Sequence, residues 1–193
     1  MPSYQNTGLA TTGSLMMESV KVEVAASALG TYTNLGLARG VSITENIVPY
    51  AVQADNGPDP IHGISRQTAT VEFEMMEFYL PTLDILRGTG LDLDTHTTGT
   101  YLTTTCRILT TGGLSELNDR AVKFTNHKLV SAATVETVIV FYKAHITSGL
   151  QIALKSDNDE DPVNVYPQTL EAVMDTERAA GDQLYIIESE IGA

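Results

Sequence analysis

Residues 63–88, GISRQTATVEFEMMEFYLPTLDILRG, change hydrophobic period once, and that change narrows the fold more than any other segment. Over 70–78, Val71, Phe73 and Met75 alternate with Glu72, Glu74 and Met76. A two-residue period, apolar on one side and acidic on the other, predicts a half-buried strand. Beyond Phe78 the spacing lengthens. Leu80, Leu83, Ile85 and Leu86 span about two turns, with Pro81 near the start and Gly88 at the stop, which predicts a short amphipathic helix over 79–88. The segment holds no nucleophile and base pair, no metal-ligand cluster and no phosphate loop, so it reads as architecture.

A strand of this kind running into EFYLPTLDILRG resembles the middle of the major tail tube proteins of long-tailed, non-contractile (siphovirus-type) bacteriophages. Residues 35–47 are similar to that family's early strand after a Leu-Gly turn, and residues 126–149 to its pair of late core strands. Residues 173–187, with MDTERAAGDQLYI, resemble its closing hairpin. The resemblance spreads from Val20 to the C-terminus as a pattern of strand, helix and turn, without a catalytic signature.

The rest of the chain reads mostly as β. Residues 1–17 are polar and small, an N-terminal arm ordered only against something else. In 19–25, Val20, Val22 and Val24 alternate with Lys21 and Glu23; after a turn at 30–34, Val41, Ile43, Glu45 and Ile47 continue the alternation. Residues 48–63 form a long connection whose Asn56-Gly57 and Pro58-Asp59-Pro60 signal turns, an extended hairpin or projecting loop. Threonine-rich 100–110 reads as a strand, with low complexity as the alternative for 91–99. Strands follow at 123–129, 133–144 and 150–155. That over 133–144 is apolar on both faces, with Val135, Ile139 and Phe141 on one and Val138, Val140 and Tyr142 on the other, as a central or interface strand is. Residues 169–174 suit helix or strand equally, and the resemblance selects strand. Residues 183–188 end the fold.

Many strands and one helix predict a mainly β fold, a β-sandwich or flattened barrel of two packed antiparallel sheets with one short flanking helix, as one domain over 18–193. The resemblance implies that six copies form a ring with a continuous inner β-barrel, and that rings stack into a tail tube through which the genome is ejected. Four strands per copy, at about 4.8 Å spacing and about 40° tilt, give a barrel roughly 48 Å across, wide enough for duplex DNA. The implied partners are further copies of the chain, the tape measure protein, the tail terminator and the tail tip proteins. Viral DNA would pass through without specific binding. The implied place is the virion, after synthesis and assembly in the host cytoplasm.

Charge fits a conduit. The formal net charge is −13, from 11 Lys and Arg against 24 Asp and Glu, and affinity for nucleic acid needs the opposite sign. A basic wall would hold the genome, whereas an acidic one repels it at close approach, over about 8 Å at physiological salt. Candidate lumen acids are Glu72, Glu74, Glu136 and Glu171, each on a predicted strand; a solvated outer face is the other reading. Candidate ring-stacking residues in the 48–63 loop are Tyr50, Val52, Asp55, Asn56 and Ile61.

Catalytic readings find little. His62, His96, His127 and His145 are scattered without a zinc-ligand spacing. Cys106, the one cysteine, has no neighbouring base and cannot form an intramolecular disulfide. KSDNDEDP at 155–162 begins like a calcium loop, yet Pro162 stands where glycine is required, Gln168 where the bidentate glutamate belongs, and no helices are read on either side, so it reads as a solvated acidic turn, with adventitious calcium binding at 157–161 as the alternative. No signal peptide or membrane span is read. The expectation is a non-enzymatic structural protein with no cofactor and no bound metal. Alternatives are a tail terminator or tube-initiation ring protein of the same fold, a β-sandwich binding or decoration module, or a small hydrolase, for which no credible site is present.

Overall fold

The computed structural model describes residues 16–52, 61–77, 85–86, 95–96, 106–107, 118–130, 133–149, 151 and 166–190. Among them the strands are β1 (Met16–Ala25), β2 (Thr33–Val52), β3 (Ile61–Met75), β4 (Thr95–His96), β5 (Cys106–Arg107), β6 (Arg120–Val130), β7 (Ala133–Ile146), β8 (Tyr166–Val173) and β9 (Tyr185–Ser189). Alternation in the sequence places their side chains. Val22 and Val24 of β1 are buried, as are Val71, Phe73 and Met75 of β3 and Tyr166, Gln168, Leu170 and Ala172 of β8.

The pairings run β6-β1-β2-β3-β8-β7, and β7 returns to β6, so six strands close into an antiparallel barrel. Closure gives each of the six strands a partner on both sides over at least part of its length. Strand β7 gives one edge to β6 along most of its length and divides the other. Lys143–Ile146 pair with β8, and Thr137–Phe141 pair with β9. This is the central position that its two-sided apolar pattern predicts.

Side chains fill the barrel, as expected at this strand number. Phe73 of β3 meets Phe124 of β6 edge-on across the interior at 5.4 Å, Phe124 meets Phe141 of β7 at 6.1 Å, and Phe141 meets Tyr185 of β9 at 5.5 Å. The first two contacts are edge-to-face, which suits the ring quadrupoles, and the Phe73–Phe124 pair joins two strands that do not bond to each other. On the outside, Glu23 of β1 lies between Lys21 and Lys123 of β6, at 2.8 and 2.6 Å. At the other side of β7, Tyr142 donates to Asp182, and the Arg178 guanidinium lies 3.7 Å over the Tyr142 ring, so the turn before β9 is tied back to the barrel.

Several expectations change. The large sheet does not divide into two packed sheets; it is continuous and closed, because β6 bonds both β1 and β7. Strand β3 starts at Ile61, well before residue 70, and ends at Met75. Its early half was hidden because alternation marks burial, and Ile64, Ser65 and Arg66 are exposed. Of the helix expected over 79–88, Ile85 and Leu86 are described; both are helical and Leu86 is buried. The remainder lies outside the described residues. Within 91–99 and 100–110 the described parts are β4 and β5, which pair only with each other. Met16 and Met17, placed in the arm, belong to β1. Of 150–155 only Gln151 is described, and it is not in a strand.

Candidate assembly surface

Strand β1 pairs with β2 only over Thr33–Ala38, and β8 pairs with β3 only over Thr68–Met75. Beyond those limits β2 and β3 bond to each other alone, out to Val52 and Ile61. A two-stranded ribbon therefore leaves one end of the barrel, and among the described residues both its outer edges lack ladder partners. Its departure is marked by a β-bulge at Arg39/Ser42, where Gly40 adopts φ 61°, a left-handed conformation that favours glycine. A second irregularity at Val48/Pro49 suits a proline, which cannot donate to a ladder and is tolerated on an edge strand.

Direct pairing assigns the ribbon's faces. Ile43, Glu45 and Ile47 continue the core-facing side, opposite Val71, Ala69 and Gln67; Ser42, Thr44, Asn46, Val48 and Tyr50 form the outer side, opposite Glu72, Thr70, Thr68, Arg66 and Gly63. Ile47, Val48, Tyr50 and Ile64 are each about half exposed, an unusual density of apolar side chains for a solvated hairpin. Tyr50 lies across Gly63: a Cβ there would stand 2.5 Å from the ring. Glycine is what lets the aromatic ring cover the opposite strand.

The root of the ribbon is held by polar contacts. Glu45 accepts hydrogen bonds from Gln67 and, at 3.3 Å, from the Tyr185 hydroxyl of β9. Burial and the Glu45 carboxylate both raise the Tyr185 phenol above its ordinary value, so it remains a donor. Strand β9 adds exposed Ile186 and Ile187, and among the described residues one of its edges has no partner.

The expected lumen acids separate. Glu72, Glu74 and Glu171 share the outward face of the β2-β3-β8 region, with Ser42, Thr70 and Thr169 beside them. Glu74 accepts from Arg39 Nε at 3.0 Å and Glu171 from Arg66 at 3.2 Å, while Glu72 is exposed. That face is therefore closer to neutral than three carboxylates suggest. Glu136 lies apart, at the β6–β7 hairpin, 3.3 Å from His127. Arg39 and Arg66 were the residues missed. Nothing local in the sequence pairs them with their acids, since cross-strand register is set by the fold.

Of the expected stacking residues, Tyr50 stands on the ribbon as described. Val52 and Ile61 form its last described pair, and Asp55 and Asn56 lie outside the described residues. Among the described residues no group of three His, Cys, Asp or Glu side chains is arranged to hold a metal.

No protein-family model matches the chain, and no curated protein matches it. Among solved structures, a chain of the anti-feeding prophage baseplate, in a 6-fold symmetrised cryo-EM structure, aligns over 89% of this chain and 91% of its own, with a TM-score of 0.38 and 10% identity. A likeness of that degree transfers neither fold nor function.

Proposed function

We propose that this chain is a structural, non-catalytic subunit of a phage-type tail, whose copies join into rings of six that stack into a tube for genome passage. The observation that carries the reading is the ribbon. A long hairpin whose two edges lack partners among the described residues, with half-exposed Ile47, Val48, Tyr50 and Ile64, is an aggregation hazard in a monomer and a joining element in an assembly. The strand and turn pattern that resembles tail tube proteins gives that element its context. In this reading the hydroxyl-rich outward face around Glu72 is the candidate pore wall, with Arg39 and Arg66 limiting its negative charge enough to avoid self-repulsion between copies. No cofactor takes part; the tape measure, terminator and tip proteins are the proposed neighbours.

Electron microscopy of the purified protein alone tests the proposal. Stacked hollow cylinders are expected. Single rings would reassign the chain to a terminator or initiator role, and monomers at every concentration would sink the proposal. In assembled virions, Glu72→Lys should leave tubes intact and slow genome exit; unchanged ejection counts against a repulsive wall.

A further inference from the structure

At the barrel end opposite the ribbon, a cleft of about 250 Å³ is lined by Val24, Ala25, Thr31, Thr33, Ile85 and Arg120, among others. Thr33 pairs directly with core-facing Val24, and Arg120 opens β6 just before the β-bulge at Arg120/Val122, so all three meet at the barrel mouth, where they line the cleft. Where the side chains of the other lysines and arginines are described, they are matched. Lys21, Arg39, Arg66, Lys123, Lys143 and Arg178 each reach an acid at 2.6–3.2 Å. Arg120 has no such partner among the described residues, and its Nε is buried without a hydrogen-bond acceptor. In a chain with 24 acids against 11 bases, an unmatched guanidinium is against the odds. A buried unpaired donor on a charged group is also costly to keep.

We infer that this mouth is a receptor for one oxoanion, with the Arg120 fork as the charged donor and the Thr31 and Thr33 hydroxyls completing the polar rim. Guanidinium binds carboxylate and phosphate alike, through parallel N–H donors in a fixed plane. The anion has two possible sources, a free ion or an acidic side chain of a neighbouring copy. Only the second source rests on the assembly proposed above.

The site is tested on unassembled protein with inorganic phosphate. At constant ionic strength the Arg120 Nε–H resonance should shift saturably, and Arg120→Met should abolish the accompanying rise in melting temperature. Arg120→Lys, which keeps the charge and loses the fork, should bind at least about tenfold more weakly. No shift of that resonance up to about 50 mM phosphate overturns the inference, whatever the assembly behaviour. Phosphate binding that leaves assembly unchanged assigns a free anion. Phosphate binding that also competes with assembly, together with a raised assembly threshold in Arg120→Met, assigns a neighbour's carboxylate. Failure to assemble would sink the tube reading and leave the phosphate result standing.

Discussion

Replacing Glu23 with glutamine should destabilise the barrel at neutral pH and cost almost nothing in acid. Glu23 is 8% exposed and accepts from Lys21 at 2.8 Å and Lys123 at 2.6 Å, bridging β1 to β6. The Tyr32 ring lies 4.5 Å from the Lys123 ammonium and encloses the cluster further. A fully buried pair that loses one partner costs about 3–5 kcal/mol, and an exposed pair about 0–1 kcal/mol. The lysine side chains are 37% and 24% exposed, so water recovers part of the loss and about 2 kcal/mol is expected. Burial by itself raises the Glu23 carboxyl, but hydrogen bonds from Lys123 and Lys21 outweigh it and hold the group below its ordinary value. A carboxyl depressed in the folded state contributes stability above its unfolded pKa and loses it as pH falls through the folded one. Urea unfolding followed by circular dichroism should therefore show a gap between wild type and Glu23→Gln that is full at neutral pH and closes below about pH 4. A gap that stays constant across that range would refute the electrostatic account and leave only shape.

Three further outcomes follow from the packing. Phe141→Ala removes a fully buried ring between Phe124 and Tyr185 and should cost about 3–5 kcal/mol in the same unfolding assay. Gln168 is buried on the core face of β8, its amide nitrogen turned back to the Pro167 carbonyl and its Oε1 without a partner; Gln168→Met should stabilise by about 1 kcal/mol, and a loss would mean that the amide has a role in the core. Gly63→Val drives the Tyr50 ring off the ribbon. Because the clash is with the far end of a movable side chain, melting should change by only a few degrees, while assembly measured by sedimentation falls sharply; unaltered assembly would remove the ribbon from the interface.

The valine run of β1 and the alternation of Val71, Phe73 and Met75 were legible because burial of one strand face leaves a two-residue period in the chain itself. The same signal failed over 63–67, where the ribbon is largely solvated and no face is uniformly apolar. It could place Glu72, Glu74 and Glu171 on outward positions, since outwardness is a local property. It could not pair Arg39 with Glu74 or Arg66 with Glu171, because those partners meet only through the register of strands far apart in sequence.

By itself, the sequence determined which residues face in and which face out along the half-buried strands, and with that a β protein bearing excess acid. Only the tertiary structure decided that β6 returns to β7 and closes a barrel, that two arginines quiet the acidic face, and that a hairpin extends past its neighbouring strands with Arg120, at the opposite mouth, unmatched among the described residues. The physical reason is range. Side-chain polarity acts on the strand that carries it, whereas closure, register and charge pairing depend on backbone bonds between segments many residues apart.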